Sequence, residues 1–261
     1  MIGNKVLTVI TVVRNDRLGL RKTIESIRAV RAVSSTAFDY IVVDGASTDG
    51  TRELLVEYAS DIFCSVSEPD KGIYDAMNKG AKLANVESFL LWINAGDSLL
   101  NIDKLSELFT QSNIDAIFAG VQLPNGTALS PKIKVPYDAK NFFPASTFRH
   151  QGFAVGAKKF HELGGYDLTV GIQAELLLMS RAIRHANWIV EPTPIAEFML
   201  DGVSNTKYWP SLKSYLNVAS RLDIRPSEIL RHHFLFLTKT LIKISLPRAI
   251  VANILKRRWG S

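Results

Sequence analysis

The chain has 261 residues, of which 47% are hydrophobic and 21% are charged, and this ordinary globular composition excludes disordered, collagen-like and coiled-coil proteins. The single cysteine, Cys64, excludes a disulfide scaffold and favours a reducing compartment. Residues 1–201 hold 20 Lys and Arg against 23 Asp and Glu, whereas residues 202–261 hold 11 against 2. The net charge of +6 therefore belongs to the C-terminal part. That part lacks a nucleic-acid reading motif, so we expect no nucleic acid partner.

Short apolar strands alternate with helices in the first hundred residues. The pattern predicts strands over 6–13, 40–43, 62–66 and 88–93, and helices over 18–31, 49–59 and 73–84. The β-branched run over 6–13 is typical of a strand that is buried on both faces of a parallel sheet. This alternation predicts βαβ units in an open α/β sheet, with a ligand crevice at the carboxyl ends of the strands.

Beyond residue 100 the pattern is looser. It predicts strands around 114–123, 146–148 and 153–155, and it leaves the proline-rich stretch 124–144 unassigned. Helices are predicted over 102–110, 173–185, 208–222 and 227–246. An uncharged apolar run of membrane-spanning length and a signal-peptide pattern are both lacking, so we expect a chain that is neither secreted nor membrane-spanning.

The loop after the second strand comes near a phosphate-binding P-loop. It reads Asp44-Gly45-Ala46-Ser47-Thr48-Asp49-Gly50-Thr51, but it lacks the lysine, and its two acids would repel a triphosphate. We therefore expect the Asp44 carboxylate to accept hydrogen bonds from a base or a ribose. Ser47, Thr48 and Asp49 are expected to cap the following helix. No Gly-x-Gly-x-x-Gly motif follows the first strand, which argues against a dinucleotide fold.

The third helix presents Asp75 and Asn78 on the side opposite to its apolar residues. One interpretation is a well-capped amphipathic helix with a surface pair between Asp75 and Lys79. The other is ligand binding, which the position of this helix at the carboxyl end of a strand favours.

The fourth strand runs into the polar sequence Asn94-Ala95-Gly96-Asp97. Asp97 offers hard oxygen atoms, and one carboxylate together with diphosphate oxygens and water is a common way to hold Mg²⁺ or Mn²⁺. The alternative is that Asp97 and Ser98 cap a later helix. His150 and Gln151 follow a strand-like segment, and they either line an acceptor site or form a hydrogen-bonded pair inside the domain.

These motifs, in this order and spacing, resemble the family 2 glycosyltransferases of the GT-A fold, which assemble bacterial surface polysaccharides. The segments that carry the resemblance include Arg14-Asn15, the Asp44 loop, Asp70–Gly80 and Asn94–Asp97. The resemblance implies an α/β fold with a Rossmann-like, mostly parallel sheet flanked by helices. It assigns residues 1–205 to the glycosyltransferase domain and residues 206–261 to a C-terminal helical extension.

The resemblance also implies roles for individual residues. A nucleotide-sugar pocket would be lined by Thr11, Val12, Arg14, Asn15, Asp44, Asp75, Asn78 and Asn94. Asp97 would bind the metal, Mn²⁺ or Mg²⁺, while Asn94 lies where a second acid is often found. Glu175 lies where the family has its catalytic base, usually an aspartate. The alternative for Glu175 is a solvated acid in the first turn of a helix, where the helix dipole favours negative charge.

The expected activity is a metal-dependent, inverting transfer of a sugar from a nucleoside diphosphate sugar to a hydroxyl of a lipid-linked glycan. UDP is the expected nucleotide. Residues 227–261 combine an apolar stripe with Lys256, Arg257 and Arg258, a pattern that binds anionic membrane surfaces or, alternatively, packs on the domain with its cations solvated. We thus expect a cytoplasmic protein that is peripheral on the inner face of the cell membrane. A competing hypothesis is a non-catalytic nucleotide-sugar-binding or scaffold protein.

Overall fold

The computed structural model describes residues 7–110, 113–131, 133, 149–199 and 208–224. The strands are β1 Leu7–Val13, β2 Phe38–Asp44, β3 Cys64–Ser67, β4 Phe89–Trp92, β5 Ser98–Leu99, β6 Ala116–Gln122, β7 Ala128–Leu129, β8 Phe153–Gly156 and β9 Trp188–Glu197. The helices are α1 Arg17–Val33, α2 Thr51–Glu57, α3 Ile73–Leu83, α4 Asp103–Phe109, α5 Ala157–Glu162, α6 Ala174–His185 and α7 Tyr208–Arg221. Short 3-10 turns lie at Ala59–Asp61 and His150–Gly152.

The described strands form one mixed sheet in the order β3-β2-β1-β4-β8-β6-β9-β5, with β7 paired to β6. β1 pairs in parallel with β2 and β4, and β2 pairs in parallel with β3. β8 then runs antiparallel to both β4 and β6. The expected α/β fold is confirmed. The strands β1 to β4 form the predicted parallel sheet, and each described antiparallel pairing includes a strand that follows residue 97.

Helices cover both faces of the sheet. One apolar cluster joins the sheet to α3, α5, α6 and α7, and the other joins it to α1, α2 and α4. Neighbouring residues of β1 point to opposite clusters, since Val9 belongs to one and Ile10 to the other, and both are 0% exposed. Burial on both faces explains why residues 6–13 form an unbroken apolar run.

Several predicted elements need correction. The helix predicted over 49–59 is shorter, because α2 ends at Glu57 and a 3-10 turn follows. Asp97 and Ser98 do not cap a helix, since Ser98 begins β5 and α4 begins only at Asp103. The sequence pattern predicts neither α5 nor β9. β9 contains Pro192 and Pro194 and shows register shifts opposite Ala119–Val121, and prolines in a strand weaken its sequence signal.

The C-terminal part is described up to residue 224. α7 confirms the helix predicted over 208–222, and its Val218 and Ala219 are buried in the same apolar cluster as α6. The predicted helix over 227–246, the strand-like segment 146–148 and the membrane-binding tail lie outside the described residues. In the parts of the chain that are described, no helix is both long and apolar enough to cross a membrane. The domain boundary at residue 206 stays a prediction.

Candidate active site

Polar side chains gather where β1, β2, β3 and β4 end, at one edge of the sheet. Asp44 closes β2 and is 0% exposed. Its carboxylate accepts hydrogen bonds from the Ser47 backbone N–H at 3.1 and 3.2 Å, from the Ser47 hydroxyl, and from the Ser67 hydroxyl at 2.6 Å. The Asn15 backbone N–H donates to the Ser47 hydroxyl oxygen at 2.7 Å. The hydrogen bonds of Asp44 and Ser47 therefore connect the chain segments at the ends of β1, β2 and β3.

Two of the three residues that were predicted to cap α2 do not cap it. Thr48 donates its backbone N–H to the Asn15 side-chain oxygen at 2.8 Å, and Ser47 binds Asp44, so neither caps α2. Asp49 does accept a hydrogen bond from the Thr51 backbone N–H, at 3.1 Å. Asn15 has φ of 51°, a left-handed conformation that asparagine tolerates better than most residues.

Arg14 and Asp70 form the rim of this loop cluster. The Arg14 side chain is 63% exposed, and its Nη1 lies 3.9 Å from Oδ1 of Asp70. A Cβ atom at Gly45 would lie 2.1 Å from Oδ2 of Asp70, so this approach requires glycine. The exposed Arg14 guanidinium has room to contact a ligand, and its contact with a nucleotide stays a prediction.

Two of the predicted pocket residues make internal contacts. The Asn78 amide donates to the Tyr166 carbonyl at 2.8 Å, and its oxygen accepts from the Tyr166 backbone N–H at 3.0 Å. Thr11 is 0% exposed and donates to the Ile93 carbonyl at 2.6 Å, while Val12 is 5% exposed. Nucleotide contact by these three residues stays a prediction.

Asp75 lies at the start of α3. It accepts a hydrogen bond from the Lys71 backbone N–H at 3.0 Å and lies 3.6 Å from Nζ of Lys79, which confirms the predicted pair. The Lys71 hydrogen bond and, secondly, the Lys79 charge lower the pKa of Asp75, so it is a carboxylate at neutral pH.

A second polar cluster joins the loop after β4 to the turn before β8. Nδ2 of Asn94 lies 2.9 Å from Nε2 of His150, and Gln151 donates its amide to Asp97 at 2.8 Å. Asp97 also accepts from the Met199 backbone N–H at 3.0 Å. The structure thus brings the predicted metal ligand and the predicted acceptor residues together, although they are more than 50 positions apart in the chain.

Burial sets the protonation of this second cluster. Desolvation raises the pKa of Asp97, partly offset by the hydrogen bond from Gln151. Desolvation, with a smaller contribution from the Arg149 charge, lowers the pKa of His150 to about 4. His150 is therefore a neutral imidazole near pH 7. Because the Asn94 amide nitrogen can only donate, Nε2 of His150 accepts and its proton lies on Nδ1.

Asp97 and Asn94 are the residues of this cluster that could hold a divalent cation, and metal binding by them stays a prediction. Oδ1 of Asn94 is buried without a hydrogen-bond partner, and it lies on the same short loop as the Asp97 carboxylate. Within the described ranges, no group of three or more His, Cys, Asp and Glu side chains could hold a metal ion. Mg²⁺ usually keeps several waters and takes oxygen atoms from substrate phosphates, so one carboxylate and one amide oxygen suit it.

Glu175 lies in the first turn of α6 and contacts α3 through Tyr74. The Tyr74 hydroxyl is within hydrogen-bond distance of the Glu175 carboxylate and lies 3.1 Å from the Ile172 carbonyl. Desolvation raises the pKa of Glu175 to about 7. A fully solvated acid would keep its ordinary value, so the alternative of a simple solvated first-turn residue does not describe this environment.

The sequence did not single out Tyr74 or Arg149 as site residues. Tyr74 belongs to the motif Ile73-Tyr74-Asp75, and its partner Glu175 is 101 positions away. Arg149 directly precedes the His150-Gln151 pair. Its Nε is buried without a partner, and its guanidinium carbon lies 5.2 Å from the centre of the Phe198 ring. The only available signal was adjacency to motif residues.

Comparison with known proteins identifies the family of this chain. The sequence model of the family described as glycosyl transferase family 2 matches residues 8–161, more than half of the chain. An uncharacterized glycosyltransferase of Mycobacterium tuberculosis is 28% identical over 212 residues, which cover 78% of this chain and 79% of that protein.

Two solved structures share the fold. Staphylococcus aureus TarS 1–349 in complex with UDP has a TM-score of 0.65 at 16% identity, over 96% of this chain and 78% of that chain. The Pyrobaculum calidifontis mannosyltransferase PcManGT, in complex with GDP-Man and Mn²⁺, has a TM-score of 0.57 at 17% identity, over 97% and 80%. The chain belongs to glycosyl transferase family 2 and is a glycosyltransferase with the GT-A fold.

Proposed function

We propose that this glycosyltransferase moves a sugar, with inversion, from a UDP-sugar to a hydroxyl of a lipid-linked glycan in surface polysaccharide synthesis. The observation that carries the proposal is Glu175, a partly buried carboxylate whose pKa of about 7 suits a general base at neutral pH. Tyr74 connects this carboxylate to α3, the helix that also carries Asp75.

The donor pocket in this proposal lies at the carboxyl ends of β1, β2 and β3. Arg14, Asn15, Asp44 and Asp75 would surround the base and ribose, and the Asp44 hydrogen bonds would hold the loops in place before the donor binds. The TarS structure in complex with UDP supports a nucleotide ligand for a chain of this fold. Preorganised loops lower the conformational cost of binding.

The transfer is a single displacement. The acceptor hydroxyl oxygen forms a bond to the anomeric carbon while the bond from that carbon to the diphosphate oxygen breaks. Glu175 takes the hydroxyl proton, and the diphosphate leaves with the bonding electron pair. Attack from the face opposite to the leaving group inverts the configuration. A base with a pKa near the working pH is about half ionised and accepts a proton readily.

A divalent cation would be held by Asp97 and Asn94 together with diphosphate oxygens and water. When bound, such an ion neutralises the negative charge that develops on the leaving diphosphate. The Mn²⁺ in the PcManGT structure supports a metal in this fold. His150, neutral near pH 7, and Gln151 would border the acceptor side of the same cluster.

Membrane contact is proposed through residues 227–261. We expect the triple charge reversal Lys256→Glu, Arg257→Glu and Arg258→Glu in the full chain to reduce co-sedimentation with anionic vesicles, because the cations attract anionic lipid headgroups. Donor binding should not change. Full recovery of the variant with the vesicles would contradict the membrane contact.

The activity is tested by nucleoside diphosphate release from UDP-, GDP- and dTDP-sugars with Mn²⁺ or Mg²⁺ and a membrane extract as acceptor source. We expect release from one donor that is lost in Glu175→Gln and retained in Glu162→Gln, an exposed acid of α5 that pairs with Lys159. The second candidate, a binding protein without turnover, is favoured by the internal engagement of both Asp97 oxygens. It predicts donor binding with no release from any donor.

A further inference from the structure

Arg149 carries a positive charge into the second polar cluster. It precedes His150 and Gln151, whose side chains contact Asn94 and Asp97. Nε of Arg149 is buried and has no hydrogen-bond partner. No acidic side chain among the residues described here lies within ion-pair distance of its guanidinium. Its guanidinium carbon lies 5.2 Å from the centre of the Phe198 ring, and the Tyr215 side chain also interacts with its charge.

The groups around Arg149 do not compensate its charge. The acid of this cluster, Asp97, already accepts hydrogen bonds from the Gln151 amide and the Met199 backbone N–H. A guanidinium remains protonated in proteins, and burying one without a counter-charge costs several kcal/mol, on the order of the desolvation penalty of an ion. Desolvation accordingly lowers the pKa of Arg149. Oδ1 of Asn94, the residue that contacts His150, is a second buried atom without a hydrogen-bond partner among the described residues.

We propose that Arg149 binds a phosphate group of a substrate at this cluster. The residue is only partly buried as a whole, so a ligand can reach it. The planar guanidinium fork matches two phosphate oxygens, and stacking on Phe198 leaves the edge of the guanidinium for such a bidentate contact. The inference rests on the proposed function, which offers two sources of phosphate, the diphosphate of the donor and a phosphate of the lipid carrier.

Phosphate binding and support of the fold are two different roles for Arg149, and they predict different effects of its substitution on the thermal midpoint. If the charge serves a ligand, the free protein gains nothing from it, and Arg149→Gln should leave the thermal midpoint unchanged or raise it. If the charge serves the fold, through Phe198, the same substitution should lower the midpoint. Weaker phosphate binding together with an unchanged or higher thermal midpoint is therefore expected only when Arg149 is a ligand residue.

The test is calorimetric titration of the full chain with uridine, UDP, inorganic pyrophosphate and a short polyprenyl phosphate, in the presence of Mg²⁺. We expect Arg149→Gln to weaken UDP or the polyprenyl phosphate by about 10- to 100-fold, as for a lost charged hydrogen bond, with no change for uridine. Arg149→Lys should retain part of the affinity. The control Arg28→Gln, on an exposed arginine that pairs with Asp61, should change none of the four.

The pattern of affinities across the four ligands shows whether the phosphate comes from the donor or from the acceptor. A loss confined to UDP and pyrophosphate assigns Arg149 to the donor, and a loss confined to the polyprenyl phosphate assigns it to the acceptor. Unchanged affinities for every phosphate ligand, or a lower thermal midpoint alone, would overturn the inference while leaving the proposed transferase activity intact. Wild-type protein that binds pyrophosphate through Arg149 but neither binds nor uses a nucleotide sugar would overturn the proposed function instead.

Discussion

Replacing Glu175 with glutamine should abolish sugar transfer and at the same time stabilise the protein above pH 7. The pKa of Glu175 rises from its ordinary 4.5 to about 7. At about 1.4 kcal/mol for each tenfold change in proton affinity, ionising it in the folded protein costs up to about 3 kcal/mol. Because the residue is partly exposed, we expect about 2 kcal/mol, or about 4–8 °C in the thermal midpoint of a chain this long.

The sign depends on pH in a defined way. Between pH 4.5 and about 7 the unfolded chain binds fewer protons at Glu175 than the folded chain does, so wild-type stability falls with rising pH over that window. Glutamine does not titrate, so the difference between variant and wild type should be absent below pH 4.5 and constant above about 7. Thermal melting curves of Glu175→Gln and wild type from pH 4 to 8.5, with Glu162→Gln as control, measure this difference in stability. Equal midpoints of Glu175→Gln and wild type at pH 8 would refute a desolvated carboxylate.

Three further substitutions test the described contacts. Tyr74→Phe removes a hydroxyl that stabilises the ionised form of Glu175. The acidic limb of the pH–rate profile should therefore move to higher pH. An acidic limb at the wild-type pH would contradict that contact. Asn78→Ala leaves the Tyr166 backbone N–H and carbonyl without their partner. It should lower the free energy of unfolding, measured by urea titration, by about 1–3 kcal/mol. An unchanged urea midpoint would show that other groups replace the two hydrogen bonds. Asp97→Asn should raise the Mn²⁺ concentration needed for half-maximal nucleoside diphosphate release, and identical Mn²⁺ titrations would exclude Asp97 as a ligand.

The parallel half of the fold could be predicted because its signal is local. Each of β1, β2 and β4 is buried on both faces and therefore reads as a short apolar run. The strand β9 gives no such signal. β9 is largely half-exposed and contains two prolines, and its pairing with β6 spans about 70 positions, so neither composition nor periodicity reveals it.

The location of the candidate site followed from the same logic, since polar residues at the ends of parallel strands meet at one edge. The partners of those residues did not follow. Asn78 lies on the polar side of its helix by periodicity, yet both atoms of its amide bind the backbone of Tyr166, which is 88 positions away. The raised pKa of Glu175 likewise depends on packing between α3, α6 and α7, which residue spacing along a single helix does not encode.

The most direct test of the account is transfer of labelled sugar from a UDP-sugar to the lipid fraction of a membrane extract, comparing the wild-type protein with Glu175→Gln and Glu162→Gln. The account predicts labelled lipid with wild type and with Glu162→Gln, and none with Glu175→Gln although that variant still binds UDP. Equal labelling by Glu175→Gln and wild type would contradict Glu175 as the base. Binding of the UDP-sugar without labelled product in all three proteins would contradict the transfer itself.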